Sequence, residues 1–262
     1  MFEIFQYSFM VRALLAGGII GIIAPLIGVF LVSKRYSLMA DSLAHVSLAG
    51  IALGLLLGIY PIYTAIVVTI VVALVIERLR SQQHVSGELA LAMFVSGGLA
   101  VAVVLISLGN GFNVDLLSYL FGSITTVTAQ DVIVMSILGL LIVGLMAFLY
   151  QQLIYLSFDE EAALVSGVPV RRLNTILMIL TAITVSVAMR VVGVLLIGAL
   201  MVIPVVTASQ LRRSFRQTIL FAVLFSLIAI LVGLFGAFYL SIPAGGAIVV
   251  VSLVLFFVSL LL

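Results

Sequence analysis

Two ionisable side chains stand inside a segment that is otherwise apolar. Asp41 and His45 lie in the run Leu38-Met39-Ala40-Asp41-Ser42-Leu43-Ala44-His45-Val46-Ser47-Leu48-Ala49-Gly50. Four residues apart on a helix, they share one face, separated by about 40°. A carboxylate oxygen and an imidazole nitrogen so placed suit a divalent ion such as zinc or manganese. The plainer alternative is that the two side chains hydrogen-bond one another inside a bundle. Ionisable groups at membrane depth are costly, and they usually face an aqueous path or a partner.

Other local patterns are weaker. Gly50, Gly54 and Gly58 recur every fourth residue on nearly the opposite face, where they would let another helix approach closely. Further along, Asp159-Glu160-Glu161 is followed by Gly167 and Pro169. Acids favour a helix start and glycine then proline favour its end, so a short helix is expected, an acidic-capped loop being the alternative. Pro25 and Pro204 interrupt apolar runs and are expected to kink them. Arg12 and Arg190 fall near span ends, where snorkelling accounts for them. His84 and Asp115 read as solvated loop residues.

The composition dictates what must position these groups. Of 262 residues, 65% are hydrophobic and 8% charged, and the mean hydropathy is +1.50. Soluble domains run at roughly 45–50% and 25%. Nine acids and eleven bases cannot cover the surface of a soluble chain this size. A soluble enzyme, a disordered chain and a nucleic-acid binder are excluded. The absence of cysteine excludes disulfides and thiolate metal sites. No glycine-rich run precedes Lys34, the single lysine, so any ATP that drives the protein is bound by another chain. There is no His-Glu-x-x-His pair and no Gly-x-Ser-x-Gly elbow to support a hydrolase.

Apolar runs of near-spanning length fall at roughly 9–32, 38–58, 61–76, 88–108, 131–150, 173–189, 193–209, 217–240 and 245–262. Lipid cannot satisfy exposed backbone, so all are expected to be helical. The sixth and seventh are short, which leaves eight or nine crossings. The expected fold is therefore an all-α, polytopic membrane bundle forming one domain over residues 1–262. Lys34, Arg35, Arg78, Arg80, Arg171, Arg172, Arg212, Arg213 and Arg216 occupy alternate loops. By the positive-inside rule those loops are cytoplasmic and the N-terminus is outside.

Several segments in this order resemble one family. Asp41-Ser42-Leu43-Ala44-His45-Val46-Ser47-Leu48-Ala49-Gly50 and Val114-Asp115-Leu116-Leu117-Ser118-Tyr119-Leu120-Phe121-Gly122-Ser123 are similar to the membrane-spanning permease of bacterial zinc/manganese ABC importers. The stretches Phe158 to Asn174 and Val192 to Pro204 resemble it too, so the resemblance covers essentially the whole chain. It implies a homodimeric, non-enzymatic transport subunit in the bacterial cytoplasmic membrane. Its partners would be a cytoplasmic ATP-binding subunit and an extracytoplasmic metal-binding protein. Glu161-Ala162-Ala163 with Gly167 four beyond resembles the ATPase-coupling motif of ABC importer permeases, which makes a coupling helix of the acidic segment. Asp41 and His45 match the family's pathway aspartate and histidine. His45-x-Ser47-Leu48-x-Gly50 resembles zinc members, whereas manganese members tend to carry proline before the glycine.

On this reading the ion, zinc with manganese or iron as alternatives, is cargo, and no cofactor is held permanently. Two ligands per chain are too few for a tetrahedral zinc shell, so a two-fold dimer would have to supply four. An ion-coupled secondary carrier using Asp41 and His45 as a relay is the alternative from another class.

Overall fold

The computed structural model describes residues 6–81, 87–109 and 116–261, and among them the only regular secondary structure is helix. The order is α1 (Ser8–Ser33), α2 (Leu38–Leu57), α3 (Pro61–Ser81), α4 (Gly87–Leu108), α5 (Leu116–Phe121) and α6 (Ala129–Phe148). There follow α7 (Tyr150–Phe158), α8 (Glu160–Val165), α9 (Val170–Val192), α10 (Ile197–Gln210), α11 (Phe215–Leu240) and α12 (Ala244–Leu260). His84 and Asp115 lie outside the described residues.

Seven of these helices, α1, α2, α3, α4, α6, α9 and α11, are long and apolar enough to cross a membrane. The remaining two expected spans are shorter, with 14 residues in α10 and 17 in α12. At 1.5 Å per residue α10 is ~21 Å long, less than a ~30 Å hydrocarbon core. The expected span 193–209 thus begins as non-helical chain. Gly193 leaves α9 at φ +88°, and the amides of Val194 and Leu195 donate to the carbonyls of Tyr119 and Leu120 at 3.0 and 3.2 Å. Irregular backbone survives in a membrane protein where other protein satisfies it, as α5 does here.

α9 is buried along nearly its whole length and forms the centre, flanked by α1, α2 and α3. α2 lies between α3 and α4 and also reaches α9 and α10. Water does not drive helices together in lipid, so close packing at small residues sets these crossings. Cβ atoms on Gly50 and Gly54 would strike Ala65, Thr64 and Pro61 of α3, and one on Gly98 of α4 would strike the backbone of His45 and Val46. Two of the three glycines of the expected stripe, Gly50 and Gly54, therefore admit a close neighbour. Gly58 packs against nothing; at φ +67° it ends α2, with Ile59 N–H reaching back to the Gly54 carbonyl at 2.9 Å.

α4 and α6 turn apolar side chains outward, Leu140 and Phe148 among them. Pro25 and Pro204 are accommodated inside continuous α1 and α10.

Candidate metal centre

Asp41 sits in the first turn of α2 and His45 one turn later, both partly buried and close enough to interact electrostatically. Two neighbours pin this stretch of helix. On the α4 side the Ser42 hydroxyl lies 3.0 Å from the carbonyl of Leu91. On the α9 side Ser47 donates to the Ser186 hydroxyl at 3.2 Å and lies 3.7 Å from the Met189 sulfur. α10 closes a third side, where the Asp41 carboxylate rests against Gly198.

No hydrogen bond joins Asp41 to His45 among the described residues, and His45 Nδ1 is buried with no partner at all. Buried polar atoms are rarely left unsatisfied, and an orphaned imidazole nitrogen beside a carboxylate is a donor set for a cation. Among the described residues no group of three or more His, Cys, Asp or Glu is gathered that could hold a metal. Towards the cation-rich end lies a cavity of about 280 Å³, with Met39, Tyr36, Lys34, Glu77 and Arg80 among its walls.

The acidic segment forms the expected short helix. Asp159 caps α8 by accepting from Ala162 N–H at 2.8 Å, and Gly167 at φ +80° closes it, with Val168 N–H bonded to the Ala163 carbonyl at 3.0 Å. The four motif residues differ in exposure. Ala163 is fully buried against the bundle, Ala162 is partly covered, and Glu161 and Gly167 are exposed. Apolar side chains of the segment are exposed as well, Leu164 at 64% and Val165 at 89%.

At the opposite end the structure corrects one expectation. Arg190 does not snorkel; its side chain is 12% exposed and its Nε lies 3.7 Å from Asp131, which is wholly buried. Asp131 also accepts from the Tyr60 hydroxyl at 2.7 Å and from Thr128 N–H at 2.9 Å. The guanidinium stands 5.3 Å from the Tyr119 ring centre, and the Arg190 carbonyl accepts from Ser123 N–H at 3.4 Å. This cluster ties α6 and the α2–α3 turn to the end of α9 and to α5. Asp131 looked like the first residue of a span. Thr128-x-x-Asp131 is a capping-box pattern that could have revealed it, and an intramembrane arginine calls for an anion.

A helical bundle with paired ionisable residues inside and an exposed short helix at its basic end is a polytopic membrane protein built to pass something polar. The model of the ABC 3 transport family matches residues 6–262, and the chain belongs to that family. It is 39% identical over 249 residues to a Treponema pallidum protein named "Probable metal transport system membrane protein", covering 95% of this chain and 93% of that one. It is 32% identical to the Haemophilus influenzae high-affinity zinc uptake system membrane protein ZnuB, covering 97% of this chain and 98% of that one. It is 30% identical to the Listeria innocua manganese transport system membrane protein MntC, covering 98% of this chain and 91% of that one. Among solved structures, a chain of PsaBC from Streptococcus pneumoniae in complex with Fab superposes with a TM-score of 0.89 at 30% identity, covering 98% of this chain and 92% of that one.

Proposed function

We propose that residues 1–262 act as one permease domain of an ATP-driven importer, passing zinc through the bacterial cytoplasmic membrane by alternating access. Asp41 and His45 contact the ion. The observation that carries this is the unpartnered His45 Nδ1 beside the Asp41 carboxylate within a membrane-spanning helix. Two copies related by a two-fold axis would present four such ligands, enough for a tetrahedral shell. The tip of α8 faces the cytoplasm and docks into a separate ATP-binding subunit, and a metal-binding protein delivers the ion from the other side. Membership of an ABC transport family supports this over an ion-coupled carrier.

Zinc is favoured by the His45-x-Ser47-Leu48-x-Gly50 sequence and by the ZnuB relative. Manganese is the second reading, favoured by the MntC relative. Cells expressing the complete transporter are to be loaded with zinc and manganese in competition. Preferential zinc accumulation supports the proposal, and manganese accumulation unaffected by equal zinc overturns the choice of ion.

A further inference from the structure

The single lysine of the chain is buried. Lys34 caps the carboxy-terminal end of α1, its side chain is 4% exposed, and its ammonium lies 3.3 Å from Glu160, the first residue of α8. It also donates to the side-chain oxygen of Asn174 in α9, whose amide in turn donates to Glu160 at 3.0 Å. Burial pushes the ammonium below the usual lysine range, and the charge of Glu160 opposes that shift. A charge in such a place is retained only when it is paired and hydrogen-bonded.

The connections around this triad matter more than its strength. α8 otherwise packs against its chain neighbours α7 and α9, so Lys34–Glu160 is a direct link from it to α1. Lys34 also stands at the corner where α1 turns into α2. Tyr36, inside that corner, has its ring 5.6 Å from the Lys34 ammonium and 4.2 Å from the Arg80 guanidinium. Arg80 is held by Glu77 through two 3.1 Å hydrogen bonds within α3. Asp41 follows in the first turn of α2. Polar contacts thus join α8 to the α1–α2 corner, and the corner runs directly into the helix bearing Asp41 and His45, where Met39 N–H donates to the Tyr36 carbonyl at 2.9 Å.

We infer that Lys34 is a positioning residue, a strut through Glu160 and Asn174 that carries displacement of α8 to the amino-terminal end of α2. This rests on the reading of α8 as the ATPase-docking segment. Without the strut, α8 moves with its partner while the corner ahead of Asp41 does not follow. A lysine that merely held the fold would change the amount of permease, and with it hydrolysis and uptake together. A strut changes the number of ions moved per ATP hydrolysed.

The asymmetry of burial selects the variant. Glu160 is 45% exposed and can be solvated alone, so Lys34→Met removes the buried charge and leaves only the neutral Asn174 side-chain oxygen without its donor. Glu160→Gln strands the lysine and is the variant more prone to misfold. The complete transporter, purified and reconstituted into vesicles, is assayed for zinc uptake and ATP hydrolysis on the same sample. Lys34→Met is expected to lower uptake per ATP at least tenfold while hydrolysis and copurification stay within twofold. The exchange Lys34→Glu with Glu160→Lys is expected to recover much of the ratio. An unchanged ratio in Lys34→Met, or an exchange no better than the single variant, overturns the strut. Val165→Glu at the exposed tip probes docking itself. If it uncouples transport and Lys34→Met does not, the strut alone fails; if it leaves uptake and hydrolysis at parent levels, the docking reading falls and the strut with it.

Discussion

The Asp41 carboxylate occupies the space that a Cβ on Gly198 would fill, so the acid of α2 is seated against the first turn of α10. Helix amino termini carry partial positive charge, which favours an ionised carboxylate nearby and weakens its hold on a cation. If Asp41 ligates the cargo as proposed, this placement is expected to favour release of the ion.

Gly198→Ala must push that carboxylate aside. Overpacking strain is ~1–3 kcal/mol, and borne by the ligating geometry it corresponds to about 5- to 150-fold in binding. The half-saturating metal concentration for uptake is expected to rise by about that factor, with the amount of permease in the membrane little changed. Gly18→Ala, where nothing lies within 4 Å, is the control and should behave as the parent. Equal kinetics for the two variants would show that Asp41 does not need its seat.

Asp41→Ala and His45→Ala should each abolish uptake while leaving assembly intact. No hydrogen bond between the two is lost in either variant, since none joins them. Thermal stability of the solubilised permease should stay within a few degrees of the parent, whereas metal accumulation by cells should fall to background. Parent-level uptake in both would remove the pair from the pathway.

At the other end the sign of the effect is on stability. Asp131→Ala leaves the Arg190 guanidinium buried without its anion, and breaking a buried pair on one side costs ~3–5 kcal/mol. Tyr60→Phe removes one hydrogen bond to the carboxylate and should cost about 1.5–3 kcal/mol. The double change Asp131→Leu with Arg190→Leu should recover much of the loss, because no lone charge remains. Thermal unfolding of the four proteins checks the order, and a double variant less stable than Asp131→Ala would contradict the pairing.

How far the sequence carried these features depended on whether local chemistry encoded them. Each of the nine expected spans contains a helix, because an apolar run in lipid must satisfy its backbone internally wherever other protein does not. Asp41 and His45 stood out as charges in an apolar helix, and α8 as acids ahead of Gly167. What stayed hidden is pairing across the chain. Lys34 meets Glu160 over 126 residues and Arg190 meets Asp131 over 59, and periodicity says nothing of which helices adjoin. The seat at Gly198 was invisible for the same reason. The seventh span read as short, but its non-helical start was masked because Gly193 to Leu196 is as apolar as a helix, and only its bonds to Tyr119 and Leu120 set it apart.

Exposure also redirects the test of α8. A charged replacement of Ala163, suggested by the sequence motif, would act inside the bundle, since Ala163 is wholly buried. Val165, 89% exposed, is the position that reports on docking. The chain has no cysteine, so Val165→Cys provides a single thiol without further changes. With the basic loops cytoplasmic, a membrane-impermeant maleimide should label that thiol in inverted vesicles and not in intact cells. Coexpression of the ATP-binding subunit should then protect it by about tenfold or more in rate, as expected where an apolar side chain enters a packed interface centre from which water is excluded. Labelling from outside intact cells would reverse the orientation of the whole bundle. Labelling from inside at an unchanged rate in the presence of the ATP-binding subunit would leave the orientation standing and move the docking site away from the tip of α8.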